Sequence, residues 1–242
     1  MINQNLHVQP VALDSVPHRE LRLAVPVADW SVANRLNALF VAAAEFGDVC
    51  REYPIVFVRA GKDTDGRESI APIAVMGLSQ DQNLFLQGGA WRAEYMPAVL
   101  RLYPFCIGRI DADGKQTELL NSVQKQMETL EGEVQRTRLV CQRLLELDLL
   151  RDMRFDATLP DGRQHSVDGF LTVDETKMQA LSDEVIGELH RSGVLGLIHL
   201  HWVSMGNMRR LLQWHTEGVA AAPATALATA PAQPPAPAVL NG

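Results

Sequence analysis

Apolar and polar positions along the chain predict two β-hairpins. The first spans residues 53–78, where two runs of apolar and β-branched residues flank a polar turn at residues 61–66. The second pairs residues 153–159 with residues 164–173 around a Pro-Asp-Gly sequence, and Asp-Gly is typical of tight hairpin turns. Because hairpins join antiparallel strands, the two together predict a largely antiparallel sheet.

Shorter patterns between the hairpins predict further elements. Residues 29–46 have the pattern of a short helix, and residues 83–86 that of a third strand. Residues 90–102 predict a helix with a break at Pro97, because proline removes a backbone donor. Residues 103–110 repeat the Tyr-Pro-apolar pattern of the first hairpin and predict a fourth strand.

A long helix is predicted over residues 115–150. Its apolar residues recur at alternating spacings of three and four, as in a heptad stripe, and Thr137 occupies the remaining slot. The stripe consists of Leu120, Val123, Met127, Leu130, Val134, Cys141 and Leu144. Two interpretations stay open: an amphipathic helix packed on the sheet, or a helix whose outer part binds a partner chain.

The last third of the chain predicts helices followed by a tail. Ser182 has the character of an N-cap, and the helix that it opens ends before Gly193. Residues 194–214 continue as an apolar helix or, alternatively, as a strand and then a helix. Residues 218–242 are rich in Ala and Pro, contain no charge and predict a disordered tail.

These elements predict one α+β domain over residues 1–217, followed by the tail over residues 218–242. A largely antiparallel sheet is expected to pack, on one side, against the long helix and the C-terminal helices. Apolar residues make up 47% of the 242 residues, which is enough to bury a core of this size.

Composition excludes several classes of function. A net charge of −7 argues against a nucleic-acid partner and against docking on anionic lipid, since both need clustered cations. No apolar run is long enough to span a membrane, and the N-terminus lacks the pattern of a signal peptide. Three scattered cysteines without a CxxC pair favour core thiols over disulfides or a zinc site. We therefore expect a cytoplasmic protein without a cofactor.

Short motifs with a characteristic order are spread over residues 10–212. They include Ala43-Ala44-Glu45-Phe46, Glu52-Tyr53-Pro54-Ile55, Tyr103-Pro104-Phe105, Glu188-Leu189-His190-Arg191 and Ser204-Met205-Gly206-Asn207. Together they resemble the SapC-like family of bacterial proteins. The resemblance implies a role that is unknown for most members, with a family name taken from surface-layer protein export, and it supplies no catalytic residues. The chain departs from the family in one place, because residues 111–114 replace a longer acidic segment.

Three sets of residues are candidate functional sites. His199 and His201 would share a face, and so a metal ion, if they lay on a strand, whereas on a helix they would diverge. For this pair the competing interpretation is two histidines on a helix packing surface. The second candidate is an aromatic pocket with one cation, and the competing interpretation is aromatic residues of the core. Its members are Tyr53, Trp91, Tyr95, Arg101 and Tyr103. Glu45, Glu52 and Glu94 are either acid–base groups or structural carboxylates.

Two functions follow from these patterns. The leading hypothesis is a non-enzymatic accessory protein that binds a protein partner, with the helix over residues 115–150 as the contact. The resemblance to the SapC-like family adds, through the family name alone, a link to cell-surface or export systems. The alternative is a small-molecule or metal-dependent enzyme that uses the aromatic and arginine pocket or the histidine pair.

Overall fold

The computed structural model describes residues 29–63, 65–106, 121–158 and 164–221, together with Gly162 and isolated positions from residue 6 to residue 27. Its strands are β1 (Ala38–Phe40), β2 (Ile55–Lys62), β3 (Glu68–Val75), β4 (Leu86–Gln87), β5 (Ala90–Trp91), β6 (Leu150–Thr158) and β7 (Gln164–Val173). Its α-helices are α1 (Phe46–Val49), α2 (Ala98–Arg101), α3 (Asn121–Glu146), α4 (Glu175–Gln179), α5 (Asp183–Arg191), α6 (Val194–Ser204) and α7 (Met208–Ala221). The predicted α+β fold is confirmed.

Five antiparallel strands form the main sheet, in the order β1-β3-β2-β7-β6. The predicted hairpins are the β2–β3 and β6–β7 pairs, and they meet at the centre of the sheet. Residues 55–57 of β2 and 170–173 of β7 are all buried. Because successive side chains of a strand point to opposite faces, both faces of the sheet centre are covered, and the prediction of cover on one side is wrong.

The two hairpins touch over a short stretch only. In the described residues, β2 and β7 share one registered pair, Phe57 with Leu171. Each strand then has a register shift against its hairpin partner, and Gly61 and Gly169 in these stretches have φ values of +88° and +82°. Glycine adopts such values without steric cost, and a bulge of this kind bends the strand. The hairpin arms therefore diverge beyond the Phe57–Leu171 pair.

Helix α3 packs inward through the part of its heptad stripe whose side chains the structure describes, with Leu130, Val134, Cys141 and Leu144 buried. The buried residues of the stripe contact β3 and the short 3₁₀ turn Ala43–Glu45. Thr137, the polar member, is buried, and its hydroxyl accepts a hydrogen bond from the Ala43 N–H at 2.9 Å and donates to the Glu133 carbonyl. The helix ends at Glu146, short of the predicted residue 150, because Asp148 adopts a positive φ of +49° and the Asp148 and Leu149 N–H groups bond back to the Leu145 and Leu144 carbonyls. Predicted positions 115–120 lie outside the described residues.

Several predictions for the segments between the hairpins are wrong. Residues 29–46 form two 3₁₀ turns and strand β1, because the backbone of β1 pairs with β3 instead of closing helical turns. The helix predicted over 90–102 is reduced to α2, which Pro97 precedes at the N-cap position, while Ala90–Trp91 is β5. Residues 103 and 104 lie in a turn instead of a strand, and positions 107–110 lie outside the described residues.

The C-terminal region is helical, so of the two alternatives for residues 194–214 the apolar helix is confirmed and the strand is wrong. Helix α5 ends at Arg191, before Gly193, and α6 and α7 follow with a 3₁₀ turn at Met205–Asn207 between them. Helix α7 extends to Ala221, so positions 222–242 of the predicted tail lie outside the described residues. Within the part of the chain that the structure describes, no helix is both long and apolar enough to cross a membrane.

Candidate functional site

Tyr95 is held by three hydrogen bonds that involve three different polar atoms. Its backbone N–H donates to the Glu52 carboxylate at 2.8 Å, and its backbone carbonyl accepts from the Tyr53 hydroxyl at 2.6 Å. Its own hydroxyl donates to Glu45 Oε1 at 2.8 Å. The segment before α2 is therefore fixed from three directions, and with it the position of the Tyr95 ring.

The Glu45 carboxylate is buried, with 8% of the residue exposed, and accepts three hydrogen bonds. Oε1 accepts from the Tyr95 hydroxyl and from the Ala98 N–H at 2.7 Å, at the first residue of α2. Oε2 accepts from the Ala42 N–H at 3.0 Å. A buried carboxylate needs such donors to offset the loss of water, so Glu45 serves as a structural connector between the Ala43–Glu45 turn and α2.

The other two candidate carboxylates have no shared site with Glu45. Glu52 accepts hydrogen bonds from the backbone N–H groups of Glu94 and Tyr95, and so holds the same loop from its other side. Glu94 is exposed. Glu45 and Glu52 are therefore arranged as structural carboxylates, because each accepts hydrogen bonds from backbone N–H groups.

Two tyrosine hydroxyls of this cluster remain protonated at neutral pH. Burial raises the pKa of Tyr53 well above its ordinary value. Burial also raises the pKa of Tyr95, and the hydrogen bond to the Glu45 carboxylate raises it further. Both hydroxyls therefore act as hydrogen-bond donors, and neither is a phenolate.

Of the aromatic residues predicted as a pocket, Tyr53 belongs to the core, and Trp91 and Tyr103 pack against it. Tyr53 is fully buried and stacks on Phe85, with ring centroids 4.2 Å apart. The Trp91 indole N–H donates to the Tyr53 hydroxyl at 2.9 Å. Tyr103 lies against Trp30, whose ring centroid is 6.1 Å away. Tyr53, Trp91 and Tyr95 are thus brought together, but Tyr53, Trp91 and Tyr103 do not line the large groove described next.

A groove of about 800 Å³ opens between α2 and α3, and we call it the α2–α3 groove. Its apolar lining comes from the turn before α1, from α2 and from α3, and consists of Ala42, Ala44, Ala98, Leu102 and Leu130. Tyr95 and Arg101 are the two predicted pocket residues that line it. The Arg101 guanidinium carbon lies 5.4 Å from the centroid of the Tyr95 ring, within the range of a cation–π contact.

Helix α3 adds polar residues to the groove that the sequence interpretation missed. Lys125, Gln126, Thr129 and Glu133 face it from three successive turns of the helix. They lie outside the heptad stripe, and a polar position beside a stripe carries no signal that separates a binding face from a solvated one. Arg101 lines the opposite side of the groove from α2. The sequence does not show that α2 faces α3, because that placement is decided by the tertiary fold.

His201 is fully buried between the two central strands. Its Nδ1 lies 2.7 Å from the Ile55 carbonyl oxygen, and its Nε2 accepts from the Val173 N–H at 3.2 Å. A carbonyl accepts and an N–H donates, so the proton of the neutral imidazole is on Nδ1. Burial lowers the pKa of His201 to about 4, although the bond to Ile55 acts in the opposite direction.

His199 lies on the same helix but does not meet His201. Residues two apart on a helix diverge by about 200°, and His199 is exposed, with Nδ1 2.7 Å from the Leu195 carbonyl oxygen. Both ring nitrogens of His201 are already bonded to backbone. Among the residues that the structure describes, no group of three or more His, Cys, Asp or Glu side chains is placed to hold a metal ion.

Comparison with known proteins identifies the family. The family model described as SapC matches residues 13–112 and 109–211, and the two matched segments overlap at residues 109–112. A search of curated proteins and a search of solved structures found no match. The resemblance that the sequence motifs indicated is confirmed over most of the chain. The chain therefore belongs to the SapC family.

Proposed function

We propose that this protein is a non-enzymatic accessory protein that binds a protein partner in the α2–α3 groove. The observation that carries the proposal is the groove itself, about 800 Å³ in volume and walled along one side by a long helix. Membership of the SapC family fits an accessory role. A link to cell-surface or export systems is part of the proposal and rests on the family name.

The lining of the groove suits a polypeptide. Ala42, Ala44 and Ala98 have short side chains, so the backbone of a bound segment can approach the surface closely. Leu102 and Leu130 also line the groove but are buried, so Ala44 and Ala98 supply its accessible apolar surface. Apolar contact at the centre with polar residues around it is the usual composition of a protein interface.

The network below the groove supports binding without chemistry. Glu45 is buried and Tyr95 partly buried in the lining, and both are engaged in hydrogen bonds that hold the loop and α2 in place. The raised pKa of Tyr95 keeps its hydroxyl a donor to Glu45. A wall with this rigidity presents a preformed surface, which lowers the entropic cost of binding.

A second candidate function is the binding of a small molecule in the same groove, with catalysis as its extension. It is favoured by one observation, that Tyr95 and Arg101 face the groove side by side. An aromatic ring with a neighbouring cation is a common element of small-molecule sites.

Site-specific photo-crosslinking in the native cell tests the proposal. A photoreactive amino acid at Thr129, which is exposed in the groove, is compared with one at Gln213, which is exposed on α7 and does not line it. We expect one protein to crosslink from Thr129 and not from Gln213, and its identity tests the link to surface or export systems. Crosslinks of equal yield from both positions, or none from Thr129, would contradict the proposal.

Native mass spectrometry of the purified protein tests the second candidate. A small molecule bound at fixed stoichiometry, and lost in Arg101→Ala, would favour that function over protein binding. The exposed Arg209→Ala on α7 is the matched control, because Arg209 does not line the groove.

A further inference from the structure

The charges that line the α2–α3 groove indicate what kind of segment it binds. Two of its cations are exposed, Arg101 at the last turn of α2 and Lys125 on α3. Among the described residues, neither takes part in an ion pair. Both side chains are therefore available to a bound group of opposite charge.

The anionic residues of the groove are less accessible than its cations. Glu45 carries a charge but is buried, and its two oxygens accept hydrogen bonds from Tyr95, Ala98 and Ala42. Glu133 pairs with Arg136 one turn further along α3. The exposed charges of the lining that have no ion-pair partner among the described residues are thus positive, in a chain whose net charge is −7.

We propose that the occupant is an acidic, amphipathic segment of the partner protein, an inference that rests on the proposed function. Its carboxylates bind Arg101 and Lys125, and its apolar side packs on Ala44 and Ala98, the accessible apolar residues of the lining. The Arg101 guanidinium is suited to this because it presents a planar set of donors to a carboxylate and is positioned over the Tyr95 ring.

The groove also sets the length of the segment. Along α3 it extends from Lys125 to Glu133, which at 1.5 Å per residue corresponds to about 12 Å. Two turns of helix or about four extended residues cover this distance. A short motif within the partner is therefore sufficient, and a whole domain surface is not required.

The test uses the segment that crosslinks to the photoreactive group at Thr129. The crosslinked stretch is identified by mass spectrometry, synthesised as a fluorescent peptide and titrated with the full-length protein. We expect an acidic peptide whose Kd rises about tenfold or more when Arg101→Ala and Lys125→Ala are combined, since each variant removes a charged contact. The combination Arg209→Ala with Arg210→Ala removes two exposed cations of α7 and leaves the Kd unchanged.

The outcomes separate this inference from the proposed function. An acidic segment whose binding weakens in the groove double variant and at raised ionic strength supports both. A neutral or basic segment, or one that binds the double variant as tightly, overturns the inference and leaves protein binding standing. The absence of a protein crosslink from Thr129 overturns both. Thermal unfolding of each variant shows that a loss of binding is not a loss of fold.

Discussion

Nδ1 of His201 lies 2.7 Å from the carbonyl oxygen of Ile55, so a side chain of α6 occupies a backbone position of the central sheet. The next pair after Phe57 and Leu171 in an antiparallel ladder would be Ile55 with Val173. There His201 bonds both strands, and the Ser204 hydroxyl oxygen accepts from the Ile55 N–H at 2.9 Å. Helix α6 thus completes the join between the two hairpins.

Replacement of His201 should therefore destabilise the whole protein. In His201→Ala the Ile55 carbonyl and the Val173 N–H lose their partner in a buried place, and the free energy of unfolding should fall by about 2–4 kcal/mol. His199→Ala on the exposed side of the same helix should change it by no more than about 0.5 kcal/mol. Urea unfolding measures both, and equal stability of the two variants would contradict the role assigned to His201.

His201 should also make stability depend on pH. The pKa of His201 is about 4 in the folded protein, whereas an ordinary histidine, as in the unfolded chain, has a pKa of 6.5. Between these two pH values the unfolded chain therefore binds a proton that the folded chain does not. Stability is retained above pH 6.5 and falls as the pH decreases toward 4, by about 3 kcal/mol in total for this one group. Carboxylates with lowered pKa, such as Asp152, act at lower pH.

The comparison of wild type with His201→Gln isolates this contribution, because glutamine cannot titrate. Urea unfolding at several pH values should give a steeper loss for the wild type between pH 6.5 and pH 4. Parallel curves would show that His201 does not carry the dependence. An NMR titration of the His201 ring in the folded wild type, in which the ring should stay neutral near pH 5, gives the same answer without a variant.

Thr137 gives a prediction for the attachment of α3. Thr137→Val has nearly the same shape but leaves the Ala43 N–H without its acceptor, and should lower the free energy of unfolding by about 1–2 kcal/mol. Thr137→Ser keeps the hydroxyl and loses only a methyl group, so it should cost less. Chemical unfolding of the pair decides this, and a Val variant as stable as the wild type would show that the hydrogen bond contributes little.

The two hairpins of the fold were predictable from the sequence, and the join between them was not. The two strands of each hairpin are close in sequence and are joined by a recognisable turn, so both hairpins were predicted. The contact of Phe57 with Leu171, and the insertion of His201 beside it, link distant parts of the chain and leave no periodic pattern. Likewise, Thr137 stood out as the polar slot of an apolar stripe, but its partner Ala43 depends on the packing.

The site shows the same limit. The composition around Tyr53, Trp91 and Tyr95 predicted that aromatics would gather, and they do so through hydrogen bonds and ring contacts. Whether a ring faces a cavity or the core depends on tertiary packing, and of these three only Tyr95 faces the groove. Lys125 was missed because a lysine on a helix surface looks the same in sequence whether it lines a groove or faces solvent.

Glu45 connects that groove to the core, and its replacement by glutamine tests the connection. In Glu45→Gln one oxygen becomes an NH₂ group, so at least one of the donors Tyr95, Ala98 and Ala42 loses its acceptor. The free energy of unfolding should fall by about 1–3 kcal/mol, because the site is buried. The pKa of Tyr95 should fall toward its ordinary value, since the hydrogen bond to a carboxylate is one cause of its rise.

Ultraviolet titration of the tyrosines reports the second effect, and urea unfolding the first. Glu94→Gln is the matched control, because the Glu94 side chain is exposed and lies in the same loop as Tyr95. A Glu45→Gln protein with unchanged tyrosine titration and unchanged stability would show that Tyr95 is held by Glu52 and Tyr53 alone. A change in both would establish that the buried Glu45 carboxylate, together with Glu52, holds Tyr95 in the wall of the α2–α3 groove.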